Sequence, residues 1–180
     1  MMDLSFTTDF KPVSKDMFFD AMSSVPQAVF IVTTDGIEGK AGLTATAVTS
    51  VSADPPSLLV CLNASNSSTM AFFKNKSITI NSLSGEQAAL ATMFGKSAAG
   101  DLIDPTPEQL REAREQRFEA DVWDFESAPV LKGARAVFEC DISDVKIVDT
   151  HLVIFAKVVS IRLGTGSSGL VYMERGYRIV

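Results

Sequence analysis

Residues 42–69 read GLTATAVTSVSADPPSLLVCLNASNSST and carry a single charged side chain, Asp54. Proline cannot donate to a strand ladder, so Asp54-Pro55-Pro56 marks a turn between two strands, 41–52 and 57–63. The first strand is built almost wholly from Ala, Thr, Ser and Gly, where a sheet that only covered a core would use larger apolar residues. Small residues let a planar group or another backbone approach closely, and hydroxyls and free backbone N–H groups add directional hydrogen bonds. Ser65-Asn66-Ser67-Ser68-Thr69 stands where a short helix, 67–74, begins, and helix N-termini favour phosphate. The pattern suits a flat ligand with polar edges and a phosphate. The same composition also suits a plain strand at a tight interface followed by a helix cap.

Outward from that stretch, the pattern is mostly strand. A helix over 14–22 has Ser14 as N-cap, and 27–34 reads as a buried strand. Asp35-Gly36 and Glu38-Gly39 turn it into the next strand as a hairpin. A strand over 77–83 is followed by Ser84 and Gln87, a capping-box signal for a helix over 86–94 that Gly95 stops. After a loop at 95–104, Thr106-Pro107-Glu108 opens a charged helix through Arg117. Two long strands, 134–148 and 151–163, a Gly/Ser turn at 164–169 and short strands at 170–172 and 177–180 close the chain. Six or seven strands against three or four helices, without βαβ alternation, predict a mostly β fold with peripheral helices: an antiparallel barrel with helices packed outside.

The 180 residues, 46% hydrophobic and 21% charged, suit one domain over 14–180 preceded by an arm over 1–13. No apolar run approaches the roughly 20 residues of a membrane helix, and MMDLSFTTDFKPVSKDMFF has no signal-like apolar segment, so a cytoplasmic protein without membrane contact is expected. A net charge of −6 and no basic cluster rank nucleic-acid binding low. Cys61 and Cys140 lack CxxC spacing and read as buried, reduced thiols, and with His151 as the only histidine no metal site is expected. Neither GxGxxG nor a Walker A loop is present.

Six segments taken together are more specific than any one alone: 44–69, ITINSLSGEQAALATMF (78–94), RFEADVW (117–123), APVLKGARAVFECDI (128–142), DTHLVIFAKV (149–158) and GLVYMERGY (169–177). In this order and spacing the chain, from about Lys15, resembles the short-chain flavin reductases, the reductase components of two-component flavin monooxygenases such as 4-hydroxyphenylacetate 3-monooxygenase. The resemblance implies a flavin-binding split β-barrel, a homodimer, FMN or FAD as flavin, NADH or NADPH as hydride donor, and a partner oxygenase that takes the reduced flavin. By position it puts ring and ribityl contacts on Lys40, Ala41, Gly42, Leu43, Thr44, Thr46 and Ala47. Cys61, Leu62 and Asn63 would lie along the flavin, Ser67 and Ser68 would hold its phosphate, and Met93 and Phe94 would touch it from the capped helix.

His151 matches the family's Gly-Asp-His histidine on the nicotinamide side, with Asp149-Thr150 before it here, and is the one candidate catalytic residue; a solvent-facing histidine at a strand start is the plainer alternative. Tyr172, Arg175 and Tyr177 match the segment that closes over the pocket, although Met173-Glu174-Arg175-Gly176 stands where the family often has Tyr-Arg-Gly. Hydride transfer from nicotinamide to flavin is chemistry of the cofactors, so the protein need only stack the rings and direct backbone N–H groups around 44–47 at the developing charge. The lack of a basic cluster near the C-terminal segment favours NADH over NADPH. Two other readings stay open at this point. One is an electron relay that retains flavin and reduces another acceptor, such as a cob(II)alt corrinoid in cobalamin synthesis. The other is a non-catalytic flavin- or haem-binding split barrel, with His151 as the available imidazole.

Overall fold

The computed structural model describes residues 12–125 and 127–180, so residues 1–11 of the expected arm lie outside the described residues. Helix α1 (Lys15–Ser23) starts as its sequence predicts, with the Ser14 hydroxyl accepting from the Met17 N–H at 3.2 Å. The predicted strand 27–34 is divided at Val29 into β1 (Gln27–Ala28) and β2 (Phe30–Thr34). Val29 donates to Leu170 O and accepts from the Leu83 N–H, so the chain passes from one sheet to another at that residue. A second division, at Thr46-Ala47, separates β3 (Ala41–Ala45) from β4 (Val48–Ala53), and β5 (Pro56–Asn63) follows the proline turn.

Next come α2 (Thr69–Lys74), β6 (Ser77–Ser82) and a 3-10 turn over Gly85–Gln87 that runs into α3 (Ala88–Gly95). The Ser84–Gln87 capping box is present. Helix α4 (Pro107–Glu115) has the predicted Thr106 cap and continues as a 3-10 turn, Gln116–Phe118. A hairpin of β7 (Trp123–Phe125) and β8 (Pro129–Leu131) went unread in the sequence, because strands of three residues carry no alternation to detect. The long strands are β9 (Ala136–Val148) and β10 (His151–Leu163), and β11 (Leu170–Met173) and β12 (Gly176–Ile179) form the final hairpin. No helix among the described residues is long and apolar enough to cross a membrane.

Seven strands form one antiparallel sheet in the order β3-β2-β6-β9-β10-β5-β4, and β1, β11 and β12 form a smaller one. The two outermost strands of the large sheet, β3 and β4, are neighbours in sequence. Inter-strand gaps of about 4.8 Å would put the edges of a flat seven-stranded sheet nearly 30 Å apart. Only Thr46 and Ala47 separate Ala45 from Val48, three Cα steps of ~3.8 Å. The sheet must therefore curl until its edges meet at that corner. Because β3 and β4 form no ladder with each other, the result is a barrel split along one seam, mostly β with helices outside.

Period-2 alternation sorts side chains to the two faces. Val32, Leu43, Val60, Leu62, Ile78, Ile80 and Ile154 fill the barrel with Phe72 of α2. On the outer face, Ile31, Leu83, Val137 and Leu170 pack under Phe94, Phe118 and Trp123, whose rings meet at 5.0–5.4 Å between centroids. Gly42 lies beneath those rings. A Cβ there would sit 2.8 Å from Phe94 Cε1 and 3.1 Å from Phe118 Cζ. The close approach that this glycine permits is to protein rings. Gly42→Ala is expected to lower unfolding free energy by about 1–3 kcal/mol through overpacking, read as a lower urea midpoint at unchanged slope. An unchanged midpoint would show that the rings are not seated on this residue.

Candidate functional site

The corner that closes the barrel also gathers the polar residues singled out in the sequence. Ala47 O accepts from the Cys61 N–H at 2.9 Å, which ties the corner to β5. Thr44 Oγ1 donates to Ala91 O at 2.7 Å, and a Cβ on Gly95 would lie 3.9 Å from Thr44 Cβ. The end of α3 therefore stands over the end of β3. Thr46 is half-buried and Ala47 exposed.

Asn63, exposed at the end of β5, organises the next loop. Its Oδ1 accepts from the Ser65 N–H and Oγ, each at 2.9 Å, and its carbonyl accepts from Thr69 Oγ1 at 2.7 Å and the Asn66 N–H at 3.1 Å. Asn66 Oδ1 accepts from the Ser68 N–H at 2.9 Å, and Asn66 O from the Thr69 N–H at 3.0 Å. The amides of residues 65, 66, 68 and 69 are thus bonded within the loop, which narrows the sequence expectation of open N–H groups at this helix start. What the loop offers instead is hydroxyls. Ser67 Oγ stands 3.1 Å from Ser97 Oγ, and Ser68 Oγ is buried with no partner. A buried hydroxyl without a hydrogen bond is uncommon in folded proteins, and this one fits a ligand oxygen at the start of α2.

His151 pairs with Asn63 in the β10–β5 ladder, and the Ala64 N–H donates to Thr150 O at 2.9 Å. The histidine is exposed, with Nδ1 2.9 Å from Thr150 Oγ1. Tyr172 and Tyr177 pair across β11 and β12 with centroids 5.4 Å apart, edge to face. Tyr177 is hydrogen-bonded to Thr92 of α3, and burial, then the neighbouring Tyr172, push its phenol up from the ordinary tyrosine value, so it stays neutral near pH 7. Met93, beside Thr92, is 38% exposed, whereas Phe94 is fully buried.

The remaining candidates are placed otherwise. Ala41, Leu43 and Leu62 are buried with their side chains in the barrel core. Lys40, about 20 Å along the strand from Thr46, lies 3.9 Å from Asp35 and over the Phe125 ring. There it lines a separate cleft of about 800 Å³ with Glu108, Arg111, Glu112 and Glu115 of α4. Arg175, in a turn with φ +59° beside Glu174 at +52°, donates to Asp20 Oδ1 of α1 at 2.6 Å. Sequence reasoning missed Ser97, Arg114 and Arg117. Arg114 Nη1 and Nη2 donate to Ser67 O at 3.4 Å and Glu38 O at 3.1 Å, and Arg117 donates to Lys96 O at 3.1 Å and Ser97 O at 2.6 Å. Their spacing of three residues, which places both on one helix face, was the available signal.

A split barrel with a hydroxyl-lined corner between β3, β5, α2 and α3 defines the class: a flavin-binding split barrel. The flavin reductase like domain matches residues 22–180. An FMN reductase (NADH) of Ancylobacter novellus is 40% identical over 170 residues, 93% of this chain and 86% of the relative. One from Enterobacter cloacae subsp. cloacae is 41% identical over 163 residues, 91% of this chain and 92% of its own. A solved structure described as a flavin reductase from Haemophilus somnus superposes with a TM-score of 0.80 at 35% identity, covering 93% of this chain and 100% of that one. The flavin reductase component of a bacterial two-component tryptophan halogenase shares the fold at a TM-score of 0.77 and 23% identity, covering 93% and 98%. The chain belongs to the flavin reductase family, and its activity is that of an NAD(P)H:flavin oxidoreductase.

Burial raises the thiol pKa of both cysteines, with Cys140 pushed up to about 12 by burial and by Asp141 and Glu139 beside it. A raised pKa means less thiolate, the reactive form, at any given pH. Iodoacetamide at pH 8 is therefore expected to alkylate Cys61 more slowly than free cysteine and to leave Cys140 unmodified until the protein is unfolded. Alkylation of Cys61 at the free-cysteine rate would show that its thiol is not desolvated.

Proposed function

We propose that this enzyme is an NADH-dependent FMN reductase that binds flavin at the Thr46-Ala47 corner and releases it, once reduced, to a partner oxygenase. The observation that carries the site is the buried, partnerless Ser68 hydroxyl beside the Ser67–Ser97 pair. The choice of FMN and NADH is supported by the relatives at 40% and 41% identity, each named an FMN reductase (NADH). The oxygenase partner is supported by the shared fold with the reductase component of a two-component halogenase.

Ser67 and Ser68 hold the phosphate, and the exposed backbone and side chains of Thr44, Thr46, Ala47, Cys61 and Asn63 line the flavin. Gly42, Ala41, Leu43, Leu62 and Phe94 support this surface from the packed side. Met93 is exposed at the α3 end, and the Tyr172–Tyr177 pair lies beside Thr92, the residue before it. Lys40, in the separate cleft beside α4, and Arg175, bonded to Asp20, take no part in this reading. Bound flavin supplies the redox chemistry, taking hydride from the nicotinamide. His151, the ladder partner of Asn63, would bound the face on which a nicotinamide stacks.

We also infer a homodimer. Val51, Val159, Ile161 and Leu163 of β4 and β10 are between 53% and 80% exposed, and Phe30, Val48, Leu58 and Phe138 line an apolar cleft of about 240 Å³ beside them. Isolated apolar residues at a surface are ordinary, but a continuous apolar sheet face marks an interface.

The test is NADH oxidation by purified protein, with and without free FMN or FAD, beside its visible spectrum as isolated. A colourless protein that oxidises NADH only with added flavin is expected. A yellow protein that needs a further acceptor would favour the relay, and no oxidation at all would leave a binding protein. Ser68→Ala should raise the FMN KM about tenfold, the equivalent of the ~1.5 kcal/mol of a hydrogen bond to a charged acceptor. An FMN KM unchanged by this substitution would remove the phosphate from this position.

A further inference from the structure

One buried cation, Arg114, and one half-buried cation, Arg117, stand behind the serine loops, in a protein of net charge −6. Arg114 is 6% exposed, donates only to the carbonyls of Ser67 and Glu38, and keeps a buried Nε without a partner. Arg117, half-buried, donates only to the carbonyls of Lys96 and Ser97, with its guanidinium 5.8 Å over the Phe94 ring. Neither forms an ion pair among the described residues.

The carboxylates near Arg114 are occupied elsewhere: Glu38 holds Lys74 at 2.8 Å, and Glu115 holds Arg111 at 3.2 Å. Burial pulls both guanidinium pKa values down from the ordinary arginine value, yet arginine stays charged throughout the working pH range. A buried charge without an opposite charge is costly. Backbone carbonyls take hydrogen bonds from both guanidinium groups but carry no full negative charge, and Arg114 Nε keeps no partner. Three of the four carbonyls, those of Ser67, Lys96 and Ser97, belong to the two loops whose hydroxyls, Ser67 Oγ and Ser97 Oγ, meet at 3.1 Å, one residue from the partnerless Ser68 Oγ; the fourth, Glu38 O, belongs to the turn before β3.

We propose that Arg114 and Arg117 are positioning residues for a phosphate: from behind the loops they fix Ser67 and Ser97 face to face and place two positive charges, neither in an ion pair among the described residues, beneath the anion. This rests on the flavin reading above and adds a selectivity to it. The pair sets a preference, by charge, for a flavin with a terminal phosphate over riboflavin, which has the same ring and no phosphate. A lysine-poor, acidic chain thereby holds a dianion without a basic surface.

The experiment compares kcat/KM for FMN and riboflavin in the full-length wild type, Arg114→Gln, Arg114→Lys and Arg117→Gln. The ratio of FMN to riboflavin is the readout, because a purely structural role would lower both values together and leave their ratio intact. The ratio is expected to fall at least tenfold in Arg114→Gln, to fall in the same direction in Arg117→Gln, and to be recovered in part by Arg114→Lys, which keeps the charge. An unchanged ratio in folded Arg114→Gln would overturn the proposal. Should that variant fail to fold, an unchanged ratio in Arg117→Gln overturns it equally. A wild type that turns over neither flavin would instead sink the flavin reading itself.

Discussion

Two residues, Thr46 and Ala47, connect the opposite edges of a seven-stranded sheet, and most of the architecture follows from that short link. A sheet whose edges are held within three Cα steps cannot remain open, so it rolls, and the roll creates an inside and an outside for every strand. The inside is filled by one apolar cluster with Phe72 at its mouth. The outside is covered by α3, the turn after α4 and the β7–β8 hairpin, through Phe94, Phe118 and Trp123. The same corner brings the ends of β3 and β5 beside the start of α2 and the end of α3.

The small side chains of the 42–53 stretch serve two ends. Gly42 is small because two aromatic rings lie on it, and Thr44 holds the α3 backbone through Ala91 O. Those contacts fix the height of α3 above the sheet. Only beyond them, from Thr46 onward, does the stretch come to the surface. Packing of the first half therefore positions the second.

The polar side of the site follows a similar division. Asn63 and Asn66 satisfy the amides of their own loop and so shape it, leaving Ser67 Oγ against Ser97 Oγ and Ser68 Oγ buried without a partner. Arg114 and Arg117 hold that loop and its neighbour from beneath through main-chain carbonyls. Each hydrogen bond here orders a backbone segment that a loop of this composition would otherwise leave free, and that ordering is an entropic advantage at the moment of binding.

Alternation and punctuation in the sequence by themselves determined which segments of the large sheet are strand, though not the division of 41–52 into β3 and β4, and they determined the caps at Ser14, Ser84 and Thr106, the proline turn after Ala53 and the mostly β class, because each depends on neighbours a few residues away. They also marked Ser67, Ser68 and Asn63 as polar residues in an unusual place. Where the chain changes sheets, at Val29, or crosses between the two edges of the large sheet, at Thr46-Ala47, no local signal distinguishes it from a strand that continues, since the residues remain β-prone and only the hydrogen-bonding partner changes. The tertiary structure alone decided that Phe94 covers Gly42, that Ser97 faces Ser67, and that of the arginines in the segment read as a charged helix, Arg114 lies buried and Arg117 half-buried behind them. Those contacts join residues some 20 to 50 positions apart. Their partners are chosen by how the closed barrel packs its outer layer, and no spacing along the chain encodes that choice.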